Sequence, residues 1–256
     1  YALTQRFSSV CSIRPFLQNH TEATLGWLME WTNDPSEHVR RLVSEGTRPR
    51  LPWASHLPAF QRDPAPVLAL LERLKDDPSL YVRRSVANNL NDIGKDHPDV
   101  LAATANAWLR DATAQRRWIV QHALRSAVKR GEPGALAALG FGTSADVVIG
   151  QASVTPPRAV AGGTLAVAFD VTNNTSQAQR VLVDFAVHYI KANGQSRAKV
   201  FKLKTLDLAA HETQRVGKTI SLAEMTTRKH YPGIHRVDAI LNGQAQVLGS
   251  FELAKG

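Results

Sequence analysis

Glu45, Asp92 and Trp53 are the residues whose types and spacing suit chemistry. The stretch Asp34-Pro35-Ser36-Glu37-His38-Val39-Arg40-Arg41-Leu42-Val43 recurs as Asp77-Pro78-Ser79-Leu80-Tyr81-Val82-Arg83-Arg84-Ser85-Val86, an offset of 43 residues. In that register Glu45 takes the place that Asn88 takes in the second copy. Asp92 follows Asn88 by four residues, one turn along the same helical face. The two carboxylates are therefore expected to meet on one wall, with Trp53 nearby to offer a flat aromatic surface. Such a pair suits hydrolysis at a sugar carbon that becomes cationic in the transition state. The same residues also admit a structural reading. Carboxylates near helix ends commonly cap helices or pair with arginine, and Asn88-Asn89-Leu90-Asn91-Asp92 reads equally well as a hydrogen-bonded ladder between repeats.

The elements that must position these groups are helices. From residue 1 to 142 apolar residues recur at helical spacing, and segments open at Thr21-Glu22, Ser36-Glu37, Ser79 and Pro98, each a capping residue or proline. A third, degenerate copy of the repeat spans Asp111 to Val120, with Arg116-Arg117 in the paired-arginine position followed by Trp118-Ile119-Val120. A helix-pair repeat of about 40–47 residues is the HEAT or armadillo period, in which each pair buries its apolar face only against neighbours. The first half is read as an all-α HEAT-like solenoid. Its paired arginines would form either a basic stripe on the concave surface, suited to a phosphate backbone, or bridges to acidic residues of adjacent repeats. Trp108 and Trp118 are read as core, and His97, ahead of a proline, as a structural turn.

At Leu139-Gly140-Phe141-Gly142-Thr143-Ser144 the pattern changes, and all five tryptophans lie before it. Residues 143–256 alternate with period two, as in Thr164–Val171 and Val181–Tyr189. Further strands are expected near 146–154, 198–206, 212–221, 233–242 and 245–253. Ala192-Asn193-Gly194-Gln195 and Asn242-Gly243 are hairpin signals. Seven strands of this length fit an immunoglobulin-like β-sandwich without a disulfide pin. Lys199, Lys202 and Lys204 share one hairpin arm. Arg228, Lys229 and His230 cluster before Tyr231-Pro232-Gly233 and are read as a second DNA contact.

Composition narrows the class. With 43% hydrophobic and 21% charged residues in 256, the chain can bury a core in each half, and no apolar run is long enough to span a membrane. The single cysteine, Cys11, excludes an intrachain disulfide and a zinc-finger ligand set, and is read as a small buried hydrophobe. The net charge of +9 is shared, +4 before residue 143 and +5 after it, and favours a polyanionic partner. The chain begins at Tyr1 with no export signal. A trimmed chain, monomeric and cytoplasmic, is expected.

Two long motifs make the sequence recognisable. Arg40-Arg41-Leu42-Val43-Ser44-Glu45-Gly46-Thr47-Arg48-Pro49-Arg50-Leu51-Pro52-Trp53 and Tyr81-Val82-Arg83-Arg84-Ser85-Val86-Ala87-Asn88-Asn89-Leu90-Asn91-Asp92-Ile93-Gly94-Lys95-Asp96-His97-Pro98 resemble the AlkC branch of HEAT-repeat DNA alkylation-repair glycosylases. Thr226-Thr227-Arg228-Lys229-His230-Tyr231-Pro232-Gly233 resembles part of the immunoglobulin-like domain that some members carry, so the likeness covers nearly the whole chain. The resemblance implies hydrolysis of the N-glycosidic bond of cationic N-methylated bases, 3-methyladenine and 3-methylcytosine, leaving an abasic site. A base that already carries positive charge leaves readily, so carboxylates that stabilise the sugar cation and position water suffice. By the family's motif Asp92 matches the catalytic aspartate, Glu45 its acidic partner and Trp53 the aromatic beside the lesion, reached without full base flipping. Arg14, Arg48, Arg83, Arg84, Asn88 and Asn89 are the expected DNA-contacting or site-positioning residues.

The implied partner is double-stranded DNA carrying alkylated bases. No metal, organic cofactor, membrane or obligate protein partner is implied. One departure matters: where relatives offer an acidic residue followed by an aromatic before Ile13-Arg14-Pro15-Phe16, this chain has Val10-Cys11. Loss of one preorganised charged group typically costs about 10²–10³ in rate. A non-catalytic DNA-structure binder that kept the basic cradle is therefore the alternative expectation. A HEAT scaffold for protein partners, which would show no salt-sensitive DNA binding, is a third.

Overall fold

The computed structural model describes residues 1–142, 146–224 and 229–254. The chain divides into two compact units, Tyr1–Leu139 and Gly140–Gly256.

After a 3-10 turn at Ala2–Gln5, the first unit contains nine helices among the described residues. They are α1 (Arg14–Asn19), α2 (Thr21–Trp31), α3 (Glu37–Gly46), α4 (Pro58–Arg62), α5 (Ala65–Leu74), α6 (Leu80–Ile93), α7 (Pro98–Leu109), α8 (Ala114–Arg130) and α9 (Pro133–Ala138). The expected starts hold: Ser36, Ser79 and His97 are N-caps, and Pro98 opens α7. Helices α3, α6 and α8 lie side by side, and each packs against the helix that precedes it in its pair, α2, α5 or α7. Leu28, Val43, Leu71, Val86, Leu90 and Ile119 fill the space between the layers and are fully or almost fully buried. Truncating one of them, as in Leu90→Ala, costs about 2–5 kcal/mol.

The repeat appears in side-chain detail at the turn entering each inner helix. Asp34 Oδ1 accepts from Ser36 N at 2.8 Å, and Asp77 Oδ1 from Ser79 N at 2.9 Å. Arg40 Nη1 donates back to the carbonyls of Asp34 and Pro35, and Arg83 Nη1 to those of Asp77 and Pro78. In the third copy Arg117 donates to Ala112 O. One arginine of each pair thus closes its own turn: the first in the first two copies, and the second, Arg117, in the third. Arg40 also forms a bidentate pair with Asp77 of the next copy, at 2.7 and 3.1 Å, which is the inter-repeat bridge allowed for above.

The second unit consists of two sheets. A three-stranded sheet is ordered β1 (Val147–Thr155), β3 (Thr164–Asn173), β6 (Thr213–Ser221). A five-stranded sheet is ordered β2 (Arg158–Val160), β8 (Gln244–Ala254), β7 (Gly233–Leu241), β4 (Gln179–Ile190), β5 (Ser196–Leu208). All pairings are antiparallel except that of β2 with β8. Phe169, Val171, Val183, Phe185, Val237 and Phe251, from both sheets, share one core. Eight strands stand among the described residues where seven were expected. The addition, β2, has only three residues, too few for alternation to show. Both hairpin signals are used: Gly194 at φ 74 turns β4 into β5, and Asn242 and Gly243 at φ 45 and 83 turn β7 into β8.

Candidate functional site

Glu45 sits in the last turn of α3 and Asp92 in the last turn of α6, and both are buried. Arg48 joins them. Its Nη1 is 2.7 Å from Glu45 Oε1, and its Nε and Nη2 are 2.8 and 2.7 Å from Asp92 Oδ2. The outer oxygens are also held: Ser85 Oγ donates to Glu45 Oε2 at 2.7 Å, and Lys95 Nζ to Asp92 Oδ1 at 2.7 Å. Arg41 lies 3.9 Å from Glu45 Oε1. Every carboxylate oxygen thus has a fixed donor. These anions need not reorganise when positive charge develops beside them, the condition under which electrostatic stabilisation is strongest.

The Ser44-Glu45-Gly46 motif has a packing reason as well. A Cβ at Gly46 would lie 2.6 Å from Ile13 Cγ2, so only glycine lets the entry to α1 approach this close. Arg14, the first residue of α1, is 1% exposed and donates to three carbonyls, those of Gly46, Arg48 and Ser55, at 2.5–2.9 Å. Burial holds its guanidinium below the ordinary arginine value; Cys11 opposes that, Arg48 adds to it and Asp92 opposes it. Arg50 pairs bidentately with Asp96, and Leu57 N donates to Pro49 O at 3.1 Å. The segment from Gly46 to Leu57 is therefore clamped at both ends. At its crest Trp53 has φ 64 and a fully exposed side chain, an aromatic presented to solvent on left-handed backbone.

The last turns of α6 are rich in Asn, a weak helix former, so packing rather than propensity sustains them. Asn89 is buried, donating to Ser44 O at 2.7 Å and Thr47 Oγ1 at 3.1 Å. Asn88 faces α8 instead. Its Oδ1 accepts from Arg125 Nη2 at 2.9 Å and lies 3.3 Å from His122 Nε2. The His122 ring stacks on Trp118, with centroids 5.0 Å apart and planes 9° apart. Burial lowers the His122 pKa, and Arg125 and Arg84 lower it further. Arg125 is lowered by burial, with Asp92 opposing that and Arg48 adding to it.

The structure therefore brings Glu45, Asp92 and Arg48 together and sets Asn88 and exposed Arg84 beside them, while several expected contacts fall elsewhere. Arg83 closes its own turn, Asn89 is an inter-helix strut, and Arg14 and Arg48 are buried on carbonyls and carboxylates. Arg14, Arg48 and Asn89 are buried, and Arg83 is half-buried with Nη1 spent on its own turn. Cys11, expected to be buried, is exposed. Val10 is half-buried. In the second unit Arg228 lies outside the described residues, and Lys229 is exposed. His230 is buried, its ring 5.1 Å from that of Tyr189, because it packs on the sandwich rather than facing outward. Lys199, Lys202 and Lys204 are exposed on β5. Trp108 is core as expected, donating through Nε1 to Glu72 at 2.7 Å, and His97 meets Gln61 O at 2.7 Å.

Sequence reading missed Trp118, His122 and Arg125. They sit 34 residues after Arg84, Asn88 and Asn91, a shorter offset than the first. The signal that would have found them is that shorter period, anchored on Asp77 and Asp111. Among the described residues no group of three or more His, Cys, Asp or Glu side chains is placed to hold a metal ion, and no helix is long and apolar enough to cross a membrane.

A family model described as "Uncharacterised protein YhaZ, C-terminal Ig-like domain" matches residues 148–255. The chain is 40% identical over 245 residues to YhaZ of Bacillus subtilis (strain 168), covering 96% of this chain and 68% of the relative. It is also similar to the solved structure of the Pseudomonas fluorescens alkylpurine DNA glycosylase AlkC bound to DNA containing an abasic site analog. There the TM-score is 0.89 at 43% identity, over 96% of this chain and 68% of that one.

Proposed function

Because the chain belongs to the AlkC-type family, which contains both YhaZ and AlkC, we propose that it is a DNA glycosylase of alkylation repair. Its substrate is double-stranded DNA carrying cationic N-methylated bases, 3-methyladenine and 3-methylcytosine, and its product is an abasic site. In this reading residues 1–142 are a HEAT-like repeat glycosylase domain and residues 143–256 an immunoglobulin-like domain.

The observation that carries the reading is the convergence of Glu45 and Asp92 on Arg48, with solvent-facing Trp53 on the loop that follows Arg48 in the chain. Asp92 supplies the fixed negative charge nearest the sugar. Glu45 aligns the attacking water and accepts its proton as the C1′–N bond breaks and the base leaves neutral. Trp53 packs against the lesion from outside the helix stack. Arg48 holds both carboxylates in place.

A second reading has its own support. Val10 supplies no charge where relatives have an acid, and both carboxylates are already neutralised by Arg48 and Lys95. A non-catalytic binder of DNA structure would look like this. The test is release of methylated base from duplexes containing 3-methyladenine or 3-methylcytosine, comparing the native chain with Asp92→Asn. Release lost in Asp92→Asn with DNA affinity retained supports the glycosylase. Salt-dependent binding with no release from either protein supports the binder.

A further inference from the structure

We propose that Arg84, Asn88, His122 and Arg125 form a subsite for one phosphodiester of the DNA backbone, in which His122 takes up a proton from solvent as the phosphate is seated. The proposal rests on the DNA-glycosylase reading and names the part of its substrate that α6 and α8 hold.

Charge balance differs along the row of inner helices. On α3, Arg41 is matched by Glu45 and lies over the Tyr81 ring at 4.5 Å. On α6 and α8, Arg84 makes no ion pair among the described residues, and Arg125 binds only Asn88 Oδ1 and His122 O. The carboxylate acting on Arg125 is Asp92, both of whose oxygens already serve Arg48 and Lys95. Two guanidinium groups without a counter-ion among the described residues, on neighbouring helices, call for an anion.

The neutral groups are oriented for the same ligand. Two donors face Asn88 Oδ1, which fixes the amide and turns Nδ2 away from them, with no partner among the described residues. His122 Nε2 faces that shared oxygen and so carries the hydrogen, leaving Nδ1 as the free base. Stacking on Trp118 fixes the plane of the ring. The charges acting on His122 are Arg125 of its own helix and Arg84 of α6, while α7 and α9, also packed on α8, bring none. Burial, and then the two cationic neighbours, hold the imidazole pKa below its ordinary value in the free protein. A phosphodiester between the arginines reverses that field, and Nδ1 then binds a proton and donates it to a phosphate oxygen.

The test is a histidine-selective ¹⁵N NMR titration of the full chain, alone and with a duplex containing a stable abasic-site analogue. It is paired with duplex affinity at constant ionic strength from pH 8 to 5.5. The His122 midpoint is expected to rise by about one pH unit on binding, and affinity to tighten up to about tenfold as pH falls. His122→Gln should flatten that profile. A methylphosphonate at one backbone position should weaken the native chain but not Asn88→Ala. Because the NMR arm uses the native chain, a variant that misfolds does not decide the matter. If the duplex binds while His122 does not move and the His122→Gln profile stays parallel, the subsite is overturned and the glycosylase reading stands. If His122 moves but no base is released, the enzyme reading falls and the subsite stands. Absence of duplex binding overturns both.

Discussion

Arg48 meets Asp92, 44 residues away in the chain, through two nitrogens on a single oxygen, Oδ2, and leaves Oδ1 to Lys95. The aspartate is thereby fixed in both position and rotation. Arg48 is a positioning residue on this geometry, and that assignment separates by experiment from a phosphate-contacting one. Arg48→Ala breaks a buried pair and is expected to cost about 3–5 kcal/mol of stability, measured by urea unfolding. In Arg48→Lys, which keeps the charge but cannot serve both carboxylates in these directions, kcat for base release should fall while duplex affinity and its salt slope hold. In folded Arg48→Ala, which removes the charge, a salt slope reduced by about one would instead make Arg48 a phosphate contact.

Trp53 gives the opposite pattern. Its side chain contributes no burial and its backbone is left-handed, so Trp53→Gly should leave thermal stability unchanged or raise it by up to about 1 kcal/mol. Base release or duplex affinity should fall at least about tenfold, the loss of about one stacking contact. A Trp53→Gly protein that melts earlier than the native chain would contradict this account of the loop.

Arg14 supports the same loop from below. Arg14→Met strands the carbonyls of Gly46, Arg48 and Ser55, each costing about 1–3 kcal/mol if left without a donor. Limited proteolysis between residues 46 and 57 should then accelerate before global unfolding does. Equal acceleration everywhere would place the role of Arg14 in the whole stack instead.

Two groups give pH dependences of known sign. Asp96 is held below the ordinary carboxylate value by its hydrogen bonds to Arg50. Its contribution is therefore complete above about pH 4 and is lost as pH falls through the depressed value. Asp96→Asn should flatten the decline of the first unit's stability below about pH 4. In the sandwich, His235 is fully buried, stacked 5.1 Å from Phe251, and burial lowers its pKa, with hydrogen bonding opposing that. The unfolded chain thus binds the extra proton first, and stability should fall as pH drops below about 6.5. Far-UV and near-UV melts of the native chain and His235→Gln between pH 7.5 and 5 check this; parallel declines would assign the effect elsewhere.

What the sequence made legible follows from what repeats. The Asp-Pro-Ser turns and paired arginines recur at one offset, so the helix starts, the inner row and the nearness of Glu45 to Asp92 could be read directly. Which arginine of a pair faces outward could not. Arg40 and Arg83 differ from Arg41 and Arg84 by one position, and only the turn carbonyls they close show which is structural. Arg14 was unreadable for another reason: its partners are backbone oxygens, and no side chain in the sequence marks them. Trp118 looked like core because the second copy, from Asp77 to Asp111, is shorter than the first, which moved Trp118 out of register with Arg84 at the 43-residue offset. In the sandwich, alternation found the long strands, and the three residues of β2 had none to show.

The backbone at Trp53 also says something about selection. Folding alone would let this position drift towards glycine or asparagine, which occupy φ 64 without the strain an indole-bearing residue accepts. Whatever stands here in other chains of the family is thus a record of what each is kept for. Lineages that still handle damaged DNA should retain an aromatic residue against the grain of their own stability, and those released from that work should relax to the residue the loop prefers.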